Sequence, residues 1–298
     1  MNQIVRFAAV ARPAPLAAPP GALRRLWPRL LAHGGFRIGL LLALALLTLA
    51  ALGPFIAPYE PNWPDYAASL KAPGPAHWLG TDATGRDVLS RLLDGAHRSI
   101  GAAVLVLGTI FVIGLVVGTI AGLAGGIVDT VLMRLVDVMM TLPGLVLAFA
   151  IIGILGPGFL NLLFALVIAD WAYYARLSRA LTLSARQRPD VVAARMAGIG
   201  WPRILFGHIL PGVALQLAVV ATLGMGGMIA AISGFSFLGL GVQPPYAEWG
   251  AMLAESRFYF PIAPWLLLAP AATIFASVMA SNLIGNGLRD VLEPRGRS

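Results

Sequence analysis

The sequence has no cysteine. Disulfides, thiolate zinc sites and cysteine nucleophiles are therefore excluded, and the redox compartment is left open. Charge is scarce as well: Asp, Glu, Lys and Arg make up 11% of the chain, against about 25% in an ordinary soluble domain. Lys71 is the single lysine, and no Gly-rich loop ends in Lys-Ser or Lys-Thr. The chain thus carries no phosphate cradle of the P-loop kind. Its four histidines, His33, His77, His97 and His208, are dispersed and lack the spacing of a helical metal site, so no metal site is expected. Residues 1–37 contain six arginines and no acid.

What is present is apolar: 58% of the residues are hydrophobic, more than a soluble fold could bury. Three long stretches, 38–59, 99–128 and 138–169, carry no charge at all. About 20 apolar residues rising 1.5 Å each cross a hydrocarbon core of roughly 30 Å. The third stretch is too long for one span, and Gly156-Pro157-Gly158 divides it. The expected fold class is an all-α polytopic membrane protein with about six transmembrane helices. Its spans are placed at 38–59, 99–128 and about 131–154, 159–177, 210–233 and 262–287. Residues 1–36 read as a flexible basic tail, 37–290 as the membrane domain and 291–298 as a short C-terminal tail. A short amphipathic helix is expected over 87–93.

A formal charge of +8 raises nucleic acid as a partner. The basic residues fall between apolar runs rather than in one patch, so membrane orientation explains them and no nucleic acid is expected. With six spans, 16 Lys and Arg lie on the side that holds both termini and residues 176–207, against 5 on the other. The positive-inside bias places both termini in the cytoplasm.

Gly114, Gly118 and Gly122 recur every four residues and line one helix face. Packing within one bundle is the simpler reading; contact with a partner subunit is the alternative. Asp170 is a charge near the inner half of the fourth span, where insertion costs roughly 2.5–3.5 kcal/mol. It reads either as a pathway-lining carboxylate or as a structural one near the interface, followed by the aromatic belt of Trp171, Tyr173 and Tyr174. Met139, Met140, Met225 and Met228 offer soft sulfur contacts to a metal, but packing is the simpler reading of them.

The 176–207 segment is the most informative. Arg188-Pro189-Asp190 predicts a helix start, with Pro in the first turn and Asp190 complementing the dipole. Residues 191–197 continue the helix and Gly198 stops it. Trp201-Pro202 starts a second short helix that leads to Leu210-Pro211. The small Ala193 and Ala194 let another surface come close.

Val192-Ala193-Ala194, Gly198 and Leu210-Pro211 resemble the EAA loop of bacterial ABC importer permeases. That pattern runs Glu-Ala-Ala, three residues, Gly, nine residues, Ile, one residue, Leu-Pro; here Val192 replaces the Glu and His208 the Ile. Residues 77–82 with Gly85-Arg86-Asp87 and Ser90-Arg91 resemble the first outer loop of the peptide/nickel branch. Residues 236–245 with Trp249-Gly250, and 282–285 with Leu288-Arg289-Asp290, resemble the stretch before its last span and its C-terminal signature. The chain is thereby identified as similar to a C-type permease subunit of that branch.

The resemblance implies a coupling loop over about 178–208 that inserts into a groove on an ATPase subunit, carried by Asp190, Val192, Ala193, Ala194, Gly198, Leu210 and Pro211. Pathway candidates are Asp170, Tyr173, Tyr174, Met139 and Met225. Implied partners are a second homologous permease subunit, two ATP-binding subunits, a solute-binding protein and membrane lipid. ATP and magnesium belong to the ATPase subunits, and this chain binds no cofactor. The implied location is the bacterial inner membrane, and the implied cargo is small peptides, nickel or metal chelates. Residues 171–176 and Val192 tilt this toward nickel; Gln243-Pro244-Pro245 is commoner on the peptide side. Two rivals are a secondary transporter with no ATPase partner and an intramembrane enzyme.

Overall fold

The computed structural model describes residues 22–292. Helix α1, Ala22–Ala32, lies within the stretch read above as a flexible tail; the rest of that stretch up to residue 21 lies outside the described residues. His33 separates α1 from α2, Gly34–Ile56, and caps it: Nδ1 accepts the Phe36 N–H at 3.2 Å. Helix α3, Val88–Ala124, begins at Asp87, whose carboxylate accepts the Ser90 N–H at 2.8 Å. Its 37 residues span about 55 Å at 1.5 Å each, so it projects well beyond a hydrocarbon core. The amphipathic helix expected over 87–93 is the start of this helix, not a separate element.

The expected single span at 131–154 is corrected. It is two helices, α4 (Gly126–Thr141) and α5 (Gly144–Leu155), bent by 85°. The cause is Pro143, which has no N–H to donate and holds Leu142 in an extended conformation (φ −95°, ψ 137°). Helix α6 covers Phe159–Arg186, α7 Pro189–Met196 and α8 Trp201–Ile204. A π turn, Leu205–Ile209, leads into α9, Leu210–Phe237. Helices α10 (Trp249–Ser256) and α11 (Trp265–Leu292) complete the described chain. Among the described residues five helices are long and apolar enough to cross a membrane, or six if the bent pair is counted as one span.

Close contacts give the direction of each pass. Gly53, late in α2, faces the Leu93 carbonyl early in α3. Arg186, at the end of α6, donates to the Gly122 carbonyl at the end of α3. Gly226 of α9 lies against Val278 of α11, and Leu223 against Gly285, so those two run antiparallel. His33 Nε2 stands 3.4 Å from Asp290 Oδ2, which puts the start of α2 and the end of α11 at one end of the bundle. That end also carries α7. Loops 57–87 and 238–264 meet at the other.

The glycine face of α3 packs inside the chain. An added Cβ would lie 2.4 Å from Tyr174 Cβ at Gly114, 2.3 Å from the Ala175 carbonyl oxygen at Gly118 and 2.9 Å from Thr182 Cβ at Gly122. Without side chains there, α3 and α6 approach closely enough for dispersion to hold them in lipid. The central core beside this seam takes Val106 and Ile110 from α3, Ile152 from α5, Leu162 and Leu166 from α6 and Leu217, Ile229 and Ile232 from α9.

Candidate functional site

The α7 segment is built as its sequence suggests locally. Arg188 is the N-cap residue, Pro189 opens the helix and Gly198 follows its end at φ +77°, a left-handed conformation that costs a side chain little only at glycine. Asp190 lies in the first turn, where a carboxylate suits the dipole, but it is also taken up by neighbours. Arg188 donates to it at 3.0 and 2.7 Å, and His208 Nδ1 lies 3.6 Å away. Arg188 also donates to the backbone carbonyl of His208, at 3.5 Å, which ties the π turn to α7 at the position where the resembled pattern has an apolar residue.

The two alanines have opposite roles. Ala194 is 8% exposed and packs with Val191, Ala185, Ile204, Ile209 and Val213 of its own chain. Ala193 faces outward, beside Val192 (44% exposed) and Met196 (85% exposed). Ala193 is therefore the one that can admit another surface. Leu210 and Pro211 start α9 directly after the π turn, so any push on α7 and α8 passes into a spanning helix without an intervening loop.

Sequence reasoning missed the residues that anchor this segment. Arg186 Nη1 donates to the carbonyls of Gly122 at 2.8 Å and Leu123 at 3.3 Å, satisfying acceptors that the end of α3 leaves open. Its guanidinium also lies 5.7 Å from the Trp201 ring centroid, and that of Arg195 5.2 Å from the same ring. Arg186, Val191, Val192, Arg195, Met196 and Trp201 line a groove of about 410 Å³. The signal available in sequence was Trp201 between basic residues; the carbonyl contacts join positions more than sixty residues apart and had none.

The pathway candidates do not converge. Tyr174 is buried between α3 and α9: its Cβ faces Gly114, and its hydroxyl would stand 2.8 Å from a Cβ at Gly224. Tyr173 points away and is exposed. Met225 packs against the central core, and Met139 against a small cluster of Val136, Ala172 and Ala175. Asp170 sits at the break of the bent pair, with Oδ1 3.3 Å from the place of a Cβ at Gly144, the first residue of α5. The carboxylate thus lies beside a helix N-terminus, whose open N–H groups favour negative charge.

At the opposite end an ion network joins the two loops. Arg86 donates to Asp82 and Glu255, each at 2.7 Å, and Arg91, 1% exposed, donates to the same Glu255 oxygen at 2.9 Å. Both arginines also donate to the Pro245 carbonyl, at 3.3 and 3.2 Å. The buried Glu248 accepts from Ser99 Oγ at 2.9 Å and from the Ala251 N–H at 3.0 Å. Burying so many charges is tolerated because each finds opposite charge or hydrogen bonds.

Comparison with known proteins matches this architecture. The family described as "Binding-protein-dependent transport system inner membrane component" matches residues 114–298. That described as "N-terminal TM domain of oligopeptide transport permease C" matches residues 21–73. The nickel transport system permease protein NikC of Escherichia coli (strain K12) is 43% identical over 255 residues, 85% of this chain and 92% of that one. The di/tripeptide transport system permease protein DppC of Pseudomonas aeruginosa is 41% identical over 284 residues, 93% of each chain. The glutathione transport system permease protein GsiD of Pectobacterium atrosepticum is 39% identical over 277 residues, 92% of each. With its glycine-seamed spans and its α7 segment between α6 and α9, the chain belongs to the family of binding-protein-dependent inner-membrane transport components, among the permeases of peptide/nickel ABC importers.

Proposed function

We propose that this permease forms the translocation pathway with a second, related permease chain, and that α7 receives the motion of a separate ATPase. The observation that carries the reading is the anchoring of α7: Ala194 is packed into its own chain, while Val192, Ala193 and Met196 face outward and α8 continues through the π turn into α9. A surface fixed at its back and bare at its front suits transmission of a push. ATP binding draws two ATPase subunits together, the docked segments follow, and the spans rock between inward- and outward-facing arrangements. ATP and magnesium are held by the ATPase subunits, and a solute-binding protein delivers cargo at the end where loops 57–87 and 238–264 meet. The α7 end and both termini face the cytoplasm of a bacterial inner membrane, in keeping with its arginines.

For cargo we take nickel or a metal chelate ahead of a small peptide. The 43% identity to a nickel permease supports this, as does the apolar Val192. Uptake of radioactive nickel and of a labelled dipeptide, each with the cognate binding protein, separates the two. The coupling role is tested with Ala193→Trp and Gly198→Val. Ala193→Trp places bulk on the outward face without altering the packed one. Gly198→Val puts a β-branched residue at φ +77°. Both are expected to insert normally, lose ATPase co-purification and abolish substrate-stimulated ATP hydrolysis and uptake. Normal attachment and transport in both would make the segment a mere connection.

A further inference from the structure

The outward face of the α7–α8 segment has a one-sided charge. Its only acid, Asp190, is engaged by Arg188 at 2.7 Å, with His208 at 3.6 Å. Arg195 and Arg203 are exposed, and no carboxylate among the described residues pairs with either. Arg186 is spent on the α3 carbonyls but leaves its charge at the groove edge. Between Arg186 and Arg195 the groove is apolar, formed by Val191, Val192, Met196 and the Trp201 ring, and Arg203 follows two residues after Trp201 on α8. At position 192, where the resembled pattern carries a glutamate, stands a valine. Cations stacked on an aromatic face keep their outer edge free for a second, anionic partner.

We infer that this groove docks an apolar side chain of the ATPase subunit set among carboxylates, with Arg195 and Arg203 pairing those carboxylates. The partner surface is thus acidic and apolar, not basic as a glutamate at position 192 would require. The inference rests on the importer reading and adds the chemistry of its contact. Val192 is the discriminating position, because a carboxylate there meets like charge in one case and opposite charge in the other. At 44% exposure it accepts glutamate without disturbing the chain's own packing.

The test uses the detergent-purified complex of this permease, its second permease and their ATPase subunits. Retained ATPase is quantified as sodium chloride rises from about 50 mM to about 500 mM, a range that shortens electrostatic reach severalfold. Wild-type attachment is expected to weaken with salt. The double variant Arg195→Gln with Arg203→Gln should bind more weakly at low salt and respond less to added salt. Val192→Glu should weaken attachment about tenfold, and Val192→Leu should not. Stronger or unchanged attachment with Val192→Glu overturns the inference, as does a salt response that the glutamine variant leaves intact. Failure of the wild-type chain to retain any ATPase removes the reading of α7 as an ATPase-docking segment, a result distinct from either.

Discussion

An added Cβ at Gly118 would stand 2.3 Å from the Ala175 carbonyl oxygen, backbone that cannot rotate aside. Gly118→Val should therefore push α3 from α6 and cost at least about 1–3 kcal/mol. Thermal stability in detergent checks this, with Gly108→Val as control, since nothing lies within 4 Å of a Cβ there. The spacing of these glycines was legible in the sequence; their partner, α6, was not. Asp170 illustrates the opposite case. Its charge amid apolar residues stood out in the sequence, but only the fold places it beside Gly144 at the start of α5. Asp170→Asn keeps shape and hydrogen-bonding capacity and removes the charge. We expect a normally assembled complex with uptake slowed severalfold; unchanged uptake would remove Asp170 from the pathway, and joint loss of folded protein and uptake would make it structural.

Among elements, the ends of α3 are held differently. Its C-terminal carbonyls are capped by Arg186, and its first turns by the network around Glu255. Removing Glu255 leaves Arg86 and the fully buried Arg91 with only Asp82 as a carboxylate partner. Breaking a buried pair costs about 3–5 kcal/mol, and the partial exposure of Glu255 points to the lower figure. Glu255→Ala should lower Tm by several degrees, and Glu255→Asp should recover part of it; an unshifted Tm would mean that Asp82 alone suffices. Asp82 and Arg86 face each other across one tight turn of the 57–87 loop, whereas Glu255 lies 169 residues from Arg86. The 85° bend between α4 and α5 had a visible cause in Pro143, but a proline in an apolar run also permits a merely kinked span. Whether the chain kinks or breaks depends on what receives the freed helix ends, and here Asp170 of α6 lies beside them.

For the whole molecule, the absence of cysteine makes topology directly measurable. Ala72 lies exposed in the 57–87 loop and Ser184 exposed at the α7 end. In intact cells Ala72→Cys should react with a membrane-impermeant maleimide, and Ser184→Cys only after permeabilisation. External labelling of Ser184→Cys would invert the orientation drawn from the arginines. The pair His33–Asp290 already requires that α2 begins and α11 ends at the same end, so an odd number of crossings is excluded whichever way the molecule faces.

The sequence by itself determined that this is a helical membrane protein and about where its spans lie. Long charge-free runs have no other stable solvent than lipid, and in lipid a backbone must satisfy its own hydrogen bonds. It also determined the α7 helix, because Pro189 and Gly198 act locally on the backbone. Only the tertiary structure decided which of Ala193 and Ala194 faces out. Helical spacing says that they diverge, but Ala194 turns inward because Ile204, Ile209 and Val213 are there to receive it. The same holds for Tyr174, an interfacial aromatic by its sequence context and a core residue by its neighbours. Local bonding sets what an element is; the contacts between distant elements set which of its faces remains free to act.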